Sequence, residues 1–330
     1  MRLTPSATSR PPAWTSPRYA LQVLLARAGA LGDLVLLRRG ILALASAGHR
    51  VSLLAPAAPA AALVGPGEIA EALPWDGPAM AALLAGGRTG GPVEAAIASA
   101  DVVVAYTRSA PVLETLGRLA RRLVAADPAP PAGGPHASLW LAGALAGLGI
   151  DIRDDPPPLR FTELEAADAE AATSRLPPAF LAVHPGSGSP AKNWPFERFV
   201  EAARRLSPGR RWLLVLGPAE EQLAPPGDAL VARTVPLRRL GAMLARAALF
   251  LGNDSGVAHL SAACGTRTLA LFGPTDPAGW APVGRAVHTL RARSGRLEDL
   301  AVDEVVAAVG RDERPLEPSD PPIRTRSGTR

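Results

Sequence analysis

The chain has 330 residues, 48% hydrophobic and 20% charged, with a formal net charge of +5, long enough for two domains with a core each. Its single cysteine, Cys264, excludes an internal disulfide and a Cys-rich zinc site, and 35 prolines with 32 glycines stay below a low-complexity share. No apolar leader is visible, and the longest uncharged apolar run, 137–150, is shorter than the ~20 residues that cross a bilayer, so a soluble cytoplasmic protein is expected.

Residues 1–17 are polar and proline-rich without periodicity, and are expected to be disordered. From residue 21 the pattern is strand, turn, helix, repeated. Residues 21–25 form an apolar run, and beyond a glycine-containing turn Leu34, Ile41 and Ala45 fall at helical spacing. Strands are predicted at 51–54, 101–106 and 121–125, and helices at 57–64, 78–85, 109–120 and 137–147. The proline and charge cluster 151–160 reads as a linker. The alternation then restarts, with strands at 180–184, 212–216, 248–251 and 268–272. Helices follow at 195–206, with proline at its first position, and at 236–247, 255–263 and 302–309. Residues 311–330 form a tail expected to be disordered. Alternation of this kind predicts an α/β fold with mostly parallel sheets: two Rossmann-like domains in series, 18–155 and 156–310.

The basic excess has a peculiar make-up. All but one of the 35 basic residues are arginine; Lys192 is the one lysine, and Asn193 and Asn253 are the two asparagines. Such a bias suits a GC-rich genome, and surviving Lys or Asn codons then mark positions where Arg or Asp would not serve.

Three strand-to-helix turns carry chemistry, because ligands of parallel α/β sheets bind beyond the strand ends, where helix N-termini offer free amides. The first, R-A-G-A-L-G-D at 27–33, is not a dinucleotide fingerprint. Its Asp33 reads either as a helix cap or as a carboxylate able to accept a proton from a hydroxyl. The second, H-P-G-S-G-S-P-A-K-N-W-P at 184–195, offers glycines, hydroxyls and the ammonium of Lys192 before a helix, a cradle for phosphate but not a Walker loop. The third, G-N-D-S-G-V-A-H at 252–259, places the amides of Ser255, Gly256 and Val257 at a helix start, where an anion is favoured. His259 shares a helix face with Ser255 and reads as a hydrogen-bonded core residue or a ligand contact. Cys264 reads as buried and inert. Thr275 and Asp276 end the following strand within reach of a ligand. No D-x-D, H-E-x-x-H or G-x-S-x-G motif is present. Sparse tyrosines without basic–aromatic interleaving disfavour nucleic acid. Arg118, Arg121 and Arg122 read as a solvated basic face or as a seat on anionic headgroups.

Together these turns and L-F-G-P-T-D-P at 271–277 resemble glycosyltransferase family nine, the ADP-heptose:lipopolysaccharide heptosyltransferases. The resemblance implies a GT-B architecture, two Rossmann-like domains facing across a cleft. It further implies an inverting, metal-independent transfer of a sugar, by default heptose from ADP-heptose, to a lipopolysaccharide-core or other cell-envelope acceptor, with no cofactor besides the donor. Asp33 would be the general base. Ser187, Lys192, Ser255, Gly256 and Val257 would hold the diphosphate, Asp254 and His259 the donor sugar. Glu220, Glu221, Val235 and Leu237 would approach the nucleoside. The enzyme would act in the cytoplasm, with peripheral contact at the inner membrane face. A nucleotide-sugar-binding protein without transferase activity and a GT-B-like epimerase are the rival readings.

Overall fold

The computed structural model describes residues 19–69, 71–152 and 155–310. The segments 1–17 and 311–330, expected to be disordered, lie outside the described residues. Two parallel sheets organise the chain. The first takes β1 (Gln22–Ala26), β2 (Arg50–Ala55), β3 (Glu71–Pro74), β4 (Val102–Tyr106) and β5 (Leu123–Ala126), in the order β3-β2-β1-β4-β5. The second takes β6 (Leu181–His184), β7 (Trp212–Leu216), β8 (Ala229–Arg233), β9 (Leu249–Asn253), β10 (Thr268–Phe272) and β11 (Val287–Arg291), in the order β11-β10-β9-β6-β7-β8.

Every pairing between these strands is parallel. The chain therefore crosses back after each strand, and helices cover both faces. That is why β4 and β7 are apolar throughout and buried at every position. In both sheets the strand order reverses beside the first strand, between β1 and β4 and between β6 and β9. Such a switch point opens a crevice at the strand ends. All three motif turns leave strands that border these points: β1, β6 and β9.

The two sheets share one apolar core. A single buried cluster joins Leu31, Leu34 and Ile41 from the first half with Phe161, Leu240, Ala258 and Leu260 from the second, and separate clusters fill the outer faces. The helix Leu31–Val35 lies directly on the helix Gly256–Ala263. A Cβ on Gly256 would come within 2.8 Å of Leu31 Cβ and 3.1 Å of the Gly32 nitrogen. Only glycine permits that backbone approach. Arg238 pins the halves a second time: it donates to both carboxylate oxygens of Glu165, at 2.7 and 3.1 Å, while its other guanidinium nitrogen reaches the Ala62 carbonyl. The later part of the linker, 155–159, is held on both halves, with Arg39 paired to Asp155, Arg38 donating to the Pro157 carbonyl at 2.8 Å and the Leu159 amide to the Ala263 carbonyl at 2.8 Å.

Several expected elements differ in detail. Pro195 is the residue before the helix Phe196–Leu206, not its first turn. The expected helix 57–64 ends at Ala61. Strands β3, β8 and β11 and the helices Pro92–Ser99 and Glu163–Ala172 were not foreseen. The three strands are short, partly exposed and lie toward the sheet margins, so they lack the apolar run that reveals a buried parallel strand. The helix Glu163–Ala172 buries only Ala169 fully and has almost no apolar stripe; its start is marked instead by a capping box between Thr162 and Glu165.

Candidate active site

The H-P-G turn after β6 and the N-D-S-G turn after β9 are stitched together by one side chain. Asn253, fully buried, accepts from the Trp194 amide through Oδ1 at 3.1 Å and donates from Nδ2 to the Pro185 carbonyl at 2.7 Å. A carboxylate could accept but not donate, which explains why asparagine stands here. Trp194 is itself fixed, donating from its indole to the Leu300 carbonyl at 2.9 Å and packing edge-on against Phe199.

Held in this way, Lys192 reaches across the crevice. Its Nζ donates to Asp254 Oδ2 at 2.8 Å, with the lysine one-third exposed and the aspartate nearly buried. The helix Gly256–Ala263 begins beside this pair, its N-cap Ser255 accepting from the Ala258 amide at 3.3 Å. Ser187, half-buried, donates to the Ser189 carbonyl at 2.7 Å and accepts from the Ser189 amide, so its hydroxyl shapes the loop. Gly186 meets the carboxylate of Glu220: a Cβ there would lie 2.1 Å from Oε1. Glu220, buried, accepts from the Gly217 amide at 2.8 Å, whereas Glu221 is exposed and Val235 and Leu237 are half-buried. Next to Val235, Thr234 has φ of 50°, a strained backbone for a β-branched residue.

Asp33 comes in from the first half. It sits in the first turn of its helix rather than capping it from outside, accepting from the Ala30 amide at 3.0 Å through Oδ2 and from Arg27 Nη2 at 2.8 Å through Oδ1. A third of its side chain stays exposed, enough for a substrate hydroxyl to reach. Arg27 is buried, donates from Nη1 to the Pro128 carbonyl at 2.9 Å and lies over the Tyr106 ring. It fixes the carboxylate's rotamer through a charge-assisted hydrogen bond.

His259 lies where the halves meet, against Gly32. It is buried, and its Nδ1 has no hydrogen-bond partner among the described residues. Burial pushes its pKa down to about 4, with Asp254 and Asp33 opposing and His136 and Lys192 assisting. It is therefore neutral at pH 7. His136 is held low mainly by burial; its Nε2–H donates to the Ala281 carbonyl at 2.9 Å, another link between the halves. His184, buried at the start of the 184–195 turn, donates to the Val215 carbonyl at 3.0 Å and is likewise held neutral by burial. Cys264 is buried, and burial raises its thiol to about 12, as an inert thiol requires.

The structure thus gathers Asp33, Lys192, Asp254, Ser255, Gly256 and His259 around one crevice. Val257 follows on the same helix turn, and Ser187 lies on the adjoining loop. Glu220 sits behind that loop, and Glu221, Val235 and Leu237 lie beyond β7 and β8. Two residues of this arrangement, Arg27 and Asn253, were assigned no role from sequence. Asn253 carried a signal, as one of two asparagines in the chain; Arg27 opens the first motif, but its contact with the Pro128 carbonyl, 101 positions away, is not marked there.

The model of glycosyltransferase family 9 (heptosyltransferase) matches residues 140–305, half of the chain. The chain belongs to this family. Lipopolysaccharide heptosyltransferase 3 of Escherichia coli is 32% identical over 115 residues, 31% of this chain and 34% of that protein. The chain thus matches about a third of that relative's length. Among solved structures, a family 9 glycosyltransferase from Veillonella parvula superposes with a TM-score of 0.72 at 19% identity, covering 88% of this chain and 96% of that one. The E. coli heptosyltransferase WaaC with ADP gives a TM-score of 0.67 at 19% identity, over 88% and 99%. The fold is GT-B, two parallel-sheet α/β domains, as the family resemblance implied. The matched stretch contains the Lys192 and Asp254 turns; Asp33 lies outside it.

Proposed function

We propose that the chain is an inverting glycosyltransferase that moves a heptose from ADP-heptose to a lipopolysaccharide-core or related cell-envelope acceptor. The second sheet carries the donor and the first the acceptor. The observation that carries this reading is the Lys192–Asp254 pair at the β6/β9 switch point, beside the N-terminus of a helix that packs on the helix carrying Asp33.

The acceptor hydroxyl oxygen attacks the anomeric carbon as the bond from that carbon to the diphosphate oxygen breaks, and Asp33 takes the hydroxyl proton. The nucleoside diphosphate leaves with the bonding electrons. Lys192 and the amides of Gly256 and Val257 meet the growing charge, so no metal is required of this mechanism. Asp254 hands Lys192 over to the diphosphate and turns its carboxylate to the sugar hydroxyls, with His259 as a neutral partner beside it. Ser187 joins the phosphates by turning its hydroxyl away from Ser189. The nucleoside falls to Glu221, Val235 and Leu237, while Glu220 supports the phosphate loop from behind.

Calorimetric titration with ADP tests the donor half. Micromolar binding that weakens at least tenfold in Lys192→Met supports the reading; no binding, or binding indifferent to Lys192, defeats it.

A further inference from the structure

The first sheet holds a feature with no part in the chemistry above. β5 is an edge strand, and between it and the helix Ala137–Gly143 with the following turn Ala146–Leu148 runs an open groove of about 920 Å³. Its floor is Val104 and Val124; Leu139, Trp140 and Leu148 line the wall. The space exists because Gly143, Ala144, Ala146 and Gly147 present almost no side chain there. Leu139 is 45% exposed at the rim. Polar side chains enter the lining only at the ends of the strand, Arg122 before it and Asp127 after it, apart from the Trp140 indole, whose N–H is spent on the Asp127 carbonyl at 3.1 Å.

The two ends point to the occupant. At the Asp127 end, the next carbonyl, Pro128, receives Arg27, and the same guanidinium holds Asp33. The groove therefore opens one guanidinium away from the proposed base. At the other end, Arg118 and Arg121 are exposed beside Arg122. Six residues of extended chain from 122 to 127 cover about 17 Å. The side chains between the groove's ends are apolar, which suits a hydrocarbon.

We propose that this groove holds one alkyl chain of a lipid-linked acceptor, whose sugar reaches Asp33 while Arg118 and Arg121 face the phosphates of an anionic membrane surface. The assignment of the chain to the acceptor rests on the transferase reading above; the binding of an alkyl chain does not.

The test titrates n-alkyl β-D-glucosides of six to twelve carbons, below their micelle concentrations and without donor, reading tryptophan fluorescence with Trp140→Phe as the control. Affinity is expected to rise up to about fourfold for each added methylene, with the signal lost in Trp140→Phe. A Cβ on Gly143 meets nothing within 4 Å, so Gly143→Leu fills the groove without strain. It is expected to abolish the chain-length dependence and to leave ADP binding unchanged. Affinity independent of chain length, or a dependence that survives in Gly143→Leu, overturns the proposal. So does a signal that follows dissociation of a dimer in sedimentation, which gives the groove to a second copy of the chain. If alkyl binding holds and ADP binding fails, the groove stands and the transferase reading falls.

Discussion

Lys192 and Asp254 can be separated by two substitutions with opposite consequences. Lys192→Met leaves Asp254, 9% exposed, without its cation. Breaking a fully buried pair costs about 3–5 kcal/mol and a surface pair about 0–1 kcal/mol. With the lysine one-third exposed, about 1–3 kcal/mol is expected, a fall in Tm of several degrees. For ADP, the variant loses a charge-assisted hydrogen bond worth about 1.5–3 kcal/mol, so Kd rises roughly 10- to 150-fold. Asp254→Asn keeps the shape but removes the negative charge that occupies the ammonium and repels the diphosphate. ADP should then bind as tightly as before or tighter, while ADP-heptose loses its advantage over ADP because the sugar contact is weakened. Calorimetry with both ligands, beside thermal melts, reads all of these. The reasoning is refuted if Lys192→Met leaves the ADP Kd within about twofold, or if Asp254→Asn weakens ADP as much as Lys192→Met does.

Gly186→Ala should lower stability by about 1–3 kcal/mol, since its methyl would collide with the buried Glu220 carboxylate; Glu220→Ala should relieve much of that loss in the double variant, read by denaturant melts. Asn253→Asp keeps the acceptor for the Trp194 amide but turns a carboxylate oxygen onto the Pro185 carbonyl. A loss of about 3 kcal/mol or more, with weakened ADP binding, is expected from a buried unpaired charge. His259 gives a pH signature. Its folded pKa of about 4 lies below the 6.5 of the unfolded chain, so between those values the unfolded state binds a proton that the folded state refuses. Stability should fall as pH drops from about 6.5 to about 4, by about 3 kcal/mol from this residue. His184 and His136, also held low, act in the same direction. His259→Gln should make the decline measurably shallower in melts taken across that range.

The chemistry-bearing turns were legible because they sit where physics leaves little choice. The turn after β6 combines glycines, hydroxyls and a cation, and in a chain otherwise without lysine Lys192 stands out. The fully buried strands were legible for a related reason: β4 and β7 are covered on both faces and read as unbroken apolar runs. What escaped was set by tertiary partners. The role of Arg27 depends on the Pro128 carbonyl, 101 positions away, and the marginal strand β11 exists because it pairs with β10. The close contact of Gly32 with His259, which brings the two halves of the site together, involves a distant pair that local pattern does not mark.

The most direct test is product analysis by mass spectrometry after incubating the protein with ADP-heptose and a truncated lipopolysaccharide-core acceptor, alongside Asp33→Asn. The account predicts ADP and an acceptor heavier by one heptose from the wild type. From Asp33→Asn it predicts an unchanged ADP Kd with transfer slowed by about 10²–10⁴. Undiminished transfer by Asp33→Asn, or an altered nucleotide sugar formed without acceptor, would contradict it.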